Sequence, residues 1–165
     1  MKYTLSVLVE NQSGVLSKVS GLFSRRGFNI DSLAVGVTED PTVSRMTIVV
    51  DGDAYLVEQV EKQLNKVIPV IKVKKLAEGE YVARMLSLIK VAVAPGARGE
   101  IMRISEVMGA RIVDVTRTSM TMEFADTAER TETFETLLRP FGIREIVRTG
   151  TIAIEKGADA TRKTN

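Results

Sequence analysis

Cysteine, histidine and tryptophan are all missing from the 165 residues. Without cysteine there is no disulfide, no thiol nucleophile and no thiolate metal site. Without histidine the commonest general acid/base and the commonest metal ligand are gone. Carboxylates, lysine or tyrosine could still run an enzyme. The usual catalytic set is nevertheless lacking, which argues against intrinsic catalysis and against a metal or cofactor held by this chain. Aromatic residues make up only 5%. The net charge of +2 gives too weak a long-range field to argue for nucleic acid or an anionic membrane as partner. No stretch approaches 18 consecutive apolar residues, so no membrane-spanning segment is expected. No apolar signal-type stretch follows Met1 either, and a cytoplasmic location is expected.

What is present is ordinary for a globular chain: 44% hydrophobic and 27% charged residues. The length suits one ordinary domain or two small ones. Tyr3, Leu5, Val7 and Val9 alternate with mostly polar neighbours, the period of a half-buried strand. Val15, Leu16, Val19, Leu22 and Phe23 then fall on one face of a helix. Gly27 stands where a helix C-terminus takes a glycine. Leu33, Val35 and Val37 alternate, Glu39-Asp40-Pro41 turns, and Met46, Ile48 and Val50 alternate again. Val57, Val60, Leu64 and Val67 give a second helical stripe, followed by Pro69 and a strand through Ile71 and Val73. The order is βαββαβ, the ferredoxin-like arrangement.

After the charged joint Lys74 to Glu80 the order repeats. Met85, Ile89, Val91 and Val93 predict a strand, and Ile101, Ile104, Ser105 and Met108 a helix face. Val113 and Val115 predict a strand, and Met120, Met122 and Phe124 another. Phe134, Leu137, Leu138 and Phe141 predict a second helix, and a last strand is expected over roughly 143 to 154. A shift of 82 lays Gly14 on Gly96, Gly27 on Gly109 and Ile30 on Ile112, but Asn11 on Val93 and Asn29 on Arg111. The scaffold positions recur and the polar ones do not. The expectation is an α+β chain of two tandem ferredoxin-like (βαββαβ) domains, 1–77 and 81–156, with 157–165 a disordered polar tail.

The stretch Asn11-Gln12-Ser13-Gly14-Val15-Leu16 joins the first strand to the first helix. It puts Gly14, Val15 and Leu16 in a first turn whose N–H groups lack intrahelical partners. Those donors, with the positive end of the dipole, suit a carboxylate or phosphate, and glycine admits close approach. Asn11 can both donate and accept. A small zwitterion such as an amino acid fits. A plain cap by Ser13 or Asn11 is the other reading of the same residues. Other signals are weaker. Arg26-Gly27-Phe28 has the start of an RNA-binding signature but lies at a helix end. Gly96-Ala97-Arg98-Gly99 matches a second such motif over four residues only. No nucleotide-binding glycine loop occurs.

The run Thr4 to Asn11, then Gly14-Val15-Leu16, then Arg25-Arg26-Gly27-Phe28-Asn29-Ile30-Asp31-Ser32-Leu33 resembles the regulatory (small) subunits of acetolactate synthase, also called acetohydroxyacid synthase. The Asn-x-x-Gly-Val-Leu element marks the wider ACT-domain family of amino-acid sensors. The likeness extends over about residues 2 to 155. It implies that the first domain is an ACT domain and that the chain is non-catalytic. It implies a large catalytic partner using thiamine diphosphate, FAD and magnesium, whose activity this chain raises and makes sensitive to feedback inhibition by valine. It further implies a homodimer with the effector between paired domains. Asn11, Gly14, Val15 and Leu16 of one chain would face Asn29 and Ile30 of the other. Asn11, Asn29 or backbone carbonyls would accept from the valine ammonium, and Val15, Leu16 and Ile30 would meet its isopropyl group. A free-standing ACT-domain transcription regulator is the alternative, although no helix-turn-helix segment is visible. A ferredoxin-like acyl-phosphate hydrolase would need an arginine in the first loop, and none is there.

Overall fold

The computed structural model describes residues 1–164. Its first six elements follow the expected order: β1 (Lys2–Glu10), α1 (Val15–Arg26), β2 (Ile30–Val37), β3 (Val43–Asp51), α2 (Ala54–Leu64) and β4 (Val70–Lys75). The four strands form one antiparallel sheet in the order β2-β3-β1-β4. Leu5, Val7 and Val9 of β1 and Met46, Ile48 and Val50 of β3 share one face. Val15, Val19, Leu22 and Phe23 of α1 and Val57, Val60 and Leu64 of α2 pack on it, all buried. The alternation in the strands and the 3.6-residue stripe of the helices therefore meet in a single core.

Two backbone devices close α1. Gly27 adopts φ 67°, the left-handed conformation that favours glycine. Its N–H donates to Ser24 O, and the Phe28 N–H donates to Phe23 O. This is the Schellman pattern. The accompanying apolar contact is the edge-on pair of Phe23 and Phe28, with centroids 6.1 Å apart. At α2, Asp53 caps the start by accepting from the Leu56 N–H at 2.8 Å.

The second set comprises β5 (Tyr81–Ala92), α3 (Arg98–Met108), β6 (Arg111–Val115), β7 (Ser119–Asp126), α4 (Ala128–Leu138), a 3-10 turn Arg139–Phe141, β8 (Ile143–Arg148) and β9 (Ile152–Glu155). The order β6-β7-β5-β8 repeats that of the first sheet. Its core contains Ile89, Val91, Met120, Met122, Phe124, Ile101, Phe134 and Leu138. The α+β class and the two βαββαβ repeats are thus present. The repeat shows in the hydrogen bonds. Glu10 N–H donates to Pro69 O and Asn11 N–H to Thr42 O; 82 residues on, Ala92 N–H donates to Gly142 O and Val93 N–H to Thr118 O. The strand bulge between Ile30 and Ser32 recurs between Ile112 and Asp114.

The expected last strand over 143 to 154 is two strands. Gly150, at φ 80°, turns the chain between β8 and β9. The molecule divides into two compact units, Met1–Val82 together with the chain from Thr151 onward, and Ala83–Gly150. The C-terminal end of the expected 81–156 domain clusters with the first unit, although β9 itself pairs with β5. Hydrogen bonds there explain why: Thr151 N–H donates to Ser32 Oγ at 2.8 Å, and Lys156 N–H to Glu80 O at 2.9 Å. Lys74 pairs with Glu155. Beyond Gly157, where a disordered tail is expected, Thr161 is buried and its carbonyl accepts from Arg45. No helix among the described residues is long and apolar enough to cross a membrane.

The hydrogen bond from Lys74 holds the Glu155 carboxyl below its ordinary value of 4.5, with smaller help from Thr161. A lowered carboxyl contributes stability that is complete above the ordinary value and is lost as pH falls through the lowered one. Glu155→Gln is therefore expected to be less stable than wild type at neutral pH, with the gap closing as pH falls below 4.5. Urea denaturation at stepped pH checks this. A gap that stays constant down to the acid limb would refute the link.

Candidate effector site

The strand-to-helix loop is built around Gly14. It adopts φ 84° and ψ −8°, and no atom lies within 4 Å of where a Cβ would stand. Glycine is thus demanded by the backbone and not by crowding. Gly14 is itself the residue before the helix, and no side chain caps α1. The reading of Ser13 or Asn11 as a cap does not hold here. The Lys18 N–H takes the Gly14 carbonyl at 3.0 Å as the first helical bond. The N–H groups that precede it belong to the helix start, where no intrahelical carbonyl is in reach.

Asn11 is tied to the loop before β3. Its backbone N–H donates to Thr42 O at 2.8 Å and its side-chain Nδ2 to Pro41 O at 2.9 Å. With the amide nitrogen engaged, the side chain offers its Oδ1 as acceptor. The loop it grips is itself ordered by Asp40, whose carboxylate accepts from the Thr42 N–H at 2.9 Å and the Thr42 hydroxyl at 2.7 Å. The Thr42 side-chain bond is the largest cause holding the Asp40 carboxyl below its ordinary value. Asp40 and Thr42 escape a search for ligand residues. Their signal is the Asp-Pro-Thr spacing, which suits a side chain bonding the backbone two residues on.

The remaining expected residues divide. The Val15 side chain is buried in the first core, so only its backbone faces the loop. Leu16 is 48% exposed. Asn29 is exposed and Ile30 half-buried. Within one chain these groups do not meet. Glu10, next to Asn11, pairs with Val43 at one end of β3, whereas Ile30 pairs with Val50 near the other. Seven residues of strand separate those ends, roughly 24 Å at about 3.4 Å per residue. Asn29 and Asn11 can share a site only across two copies of the chain.

The second unit keeps the frame and changes the chemistry. Gly96 has φ 83° and α3 again lacks a side-chain cap. Where Asn11 reaches Pro41, Arg98 reaches Thr116 O at 2.9 Å, and position 93 is a buried valine. Among the described residues no three His, Cys, Asp or Glu side chains converge as a metal site would require.

Comparison with known proteins adds the following. Residues 5–72 match the family model described as an AHAS small subunit-like ACT domain. Residues 84–157 match the one described as the small subunit of acetolactate synthase. A probable acetolactate synthase small subunit of Archaeoglobus fulgidus is 52% identical over 157 residues, covering 95% of this chain and 98% of its own. The acetolactate synthase small subunit of Mycolicibacterium smegmatis is 49% identical over 155 residues, covering 94% and 91%. The crystal structure of the acetolactate synthase small subunit from Thermotoga maritima superposes with a TM-score of 0.90 at 37% identity, over 96% of this chain and 99% of that one.

Gly14→Ala tests the loop itself. The left-handed conformation costs an L-residue about 1–2 kcal/mol. With no neighbour to clash, the variant is expected to fold and to lose about 1 kcal/mol in chemical denaturation. An unchanged midpoint would show that the loop relaxes freely.

Proposed function

Because the chain belongs to the acetolactate synthase small-subunit family, we propose that it is the regulatory subunit of that enzyme, raising the catalytic subunit's activity and making it sensitive to valine. The catalytic partner carries the thiamine diphosphate, FAD and magnesium in this reading, and this chain contributes no reacting group. The complex works in the cytoplasm on the branch of metabolism that ends in valine, leucine and isoleucine.

The reading is supported above all by the open start of α1 beside an asparagine with one engaged and one available side-chain atom. The valine carboxylate takes the N–H groups at Gly14, Val15 and Leu16, where charge and dipole favour an anion. The ammonium takes Asn11 Oδ1. The isopropyl group lies against Leu16 and against Ile30 of the partner subunit.

A two-fold dimer supplies that second half. β2 is the edge of its sheet and exposes Val35 and Val37. Val37 pairs with Ser44, at the Asn11 end of β3. When two β2 edges run antiparallel, the start of one meets the end of the other. The partner's Asn29 and Ile30 then arrive at the Asn11 end, and the separation along the strands that holds them apart within one chain is removed. Such a pairing also covers an edge that would otherwise be open. Valine inhibits because it binds one assembly state more tightly than the other; equal affinity for both would change nothing.

Gly14→Asp places a negative side chain where the carboxylate binds. The reconstituted enzyme is expected to stay activated while the valine concentration for half-inhibition rises at least about tenfold. Wild-type sensitivity in this variant would discard the loop as the site. Shared construction has its own check. Asn11→Ala and Asn29→Ala chains, each unable to bind valine as homodimers, should recover about one site per mixed dimer in calorimetry, because one of the two interface sites keeps both asparagines. Mixed dimers without binding would place each site within a single chain.

A further inference from the structure

On the face of the first sheet away from the helices, one row of the register reads Gly36, Arg45, Leu8 and Lys72. Lys74 stands one row along, opposite Ser6. A sheet face that bears three cations is costly unless they are matched, because buried or half-buried charge needs a partner. Lys74 has one in Glu155. Arg45 is only partly satisfied: one terminal nitrogen donates to Thr161 O, while its Nε is buried with no hydrogen-bond partner among the described residues. Lys72 is half-buried beside it.

Arg45 and Lys72 open into a recess of about 510 Å³. That volume lies in the range of small-molecule sites. The chain beyond Gly157 forms one wall and brings Arg162 and Lys163 to the same space. Glu39 and Asp40 are the acids at its rim. The Asp40 carboxylate is engaged by the Thr42 N–H and hydroxyl. Four cations thus face two carboxylates in the recess; Asp40 is bonded within its own turn and lies near Lys163, and Glu155 just outside the recess lies near Lys72. The guanidinium Nε is a fixed donor with no acceptor among the described residues, and planar donors of this kind suit oxyanions.

We propose that this recess binds a small multivalent oxyanion, of the phosphate or polycarboxylate class, held by Arg45 and Lys72 and closed over by Lys163. The site lies on the opposite face of the sheet from α1 and shares only the Asp40–Thr42 turn with the Gly14 loop, so the inference does not rest on the effector reading. Its occupant would also fasten the C-terminal segment, because that segment supplies part of the charge.

The test is calorimetric titration of the full-length chain with inorganic pyrophosphate and, separately, with citrate, at ionic strength held constant by sodium chloride. Saturable binding of one anion per chain is expected from at least one of the two, and which one binds assigns the class. Lys72→Gln combined with Lys163→Gln, both outside the core, should weaken that binding at least about tenfold, since each removes a charge-assisted contact. Their melting temperature without anion serves as the folding control. Hydrogen exchange of residues 157–164 should slow when the anion is added. The proposal fails if neither anion binds saturably below about 10 mM. It fails equally if the double variant, folded by the same control, binds as wild type does.

Discussion

The exit of β1 is the constraint on which the rest depends. Its last residue and the next one donate in opposite directions, Glu10 to Pro69 and Asn11 to Thr42. The central strand is therefore held to both neighbours at the very point where the chain must turn into a helix. The turn has little freedom left, and it is made by a glycine in a conformation other residues avoid. From that point α1 is aimed along the sheet, its apolar face covers β1 and β3, and its first N–H groups are left facing outward. Ala92 and Val93 repeat the arrangement. One backbone solution thus serves two units, and the chemistry of each is decided by a few side chains around it: an asparagine in the first, an arginine and a valine in the second.

Most of the fold is legible in the sequence because local period and burial agree. Leu5, Val7 and Val9 alternate and do face the core; Val57, Val60 and Leu64 are helically spaced and do line it. The glycines at 14, 27, 96 and 109 mark turns that only they tolerate easily. Legibility ends where a non-local partner decides. Nothing between residues 143 and 154 announces that the strand breaks at Gly150 and that the chain beyond it clusters with the first unit. The decision is made by Ser32, more than a hundred positions away, which receives the Thr151 N–H. The burial of Thr161 is of the same kind, since its partner is Arg45.

The geometry of the candidate site is legible to the extent that it is local. The Gly14 loop could be read because glycine, helix period and strand period meet there. That the Val15 side chain points into the core follows from helix geometry, but that Asn11 spends its amide nitrogen on Pro41 needs the β3 loop in place. The distance between Asn11 and Asn29 is set by strand register, which sequence period alone does not give. Such a separation is a useful property in a regulator. In the proposed reading, a site whose halves are far apart within one chain has no affinity until chains associate, so ligand binding and assembly are linked by mass action.

The return of β9 to the first unit has a consequence for the order in which the protein can be made. Domains generally fold as units while the chain emerges from the ribosome, at about 5–20 residues per second. Here the unit that begins with Met1 also contains the residues from Thr151 onward, and the whole of Ala83–Gly150 must be translated in between. At those speeds the first unit waits roughly 3–14 seconds for the residues from Thr151 onward. During that interval Ser32 lacks the backbone donor it will receive and Lys74 its carboxylate. The first unit is begun before Ala83–Gly150 is made and completed after it, so a chain stalled before Thr151 leaves the earlier-made part incomplete.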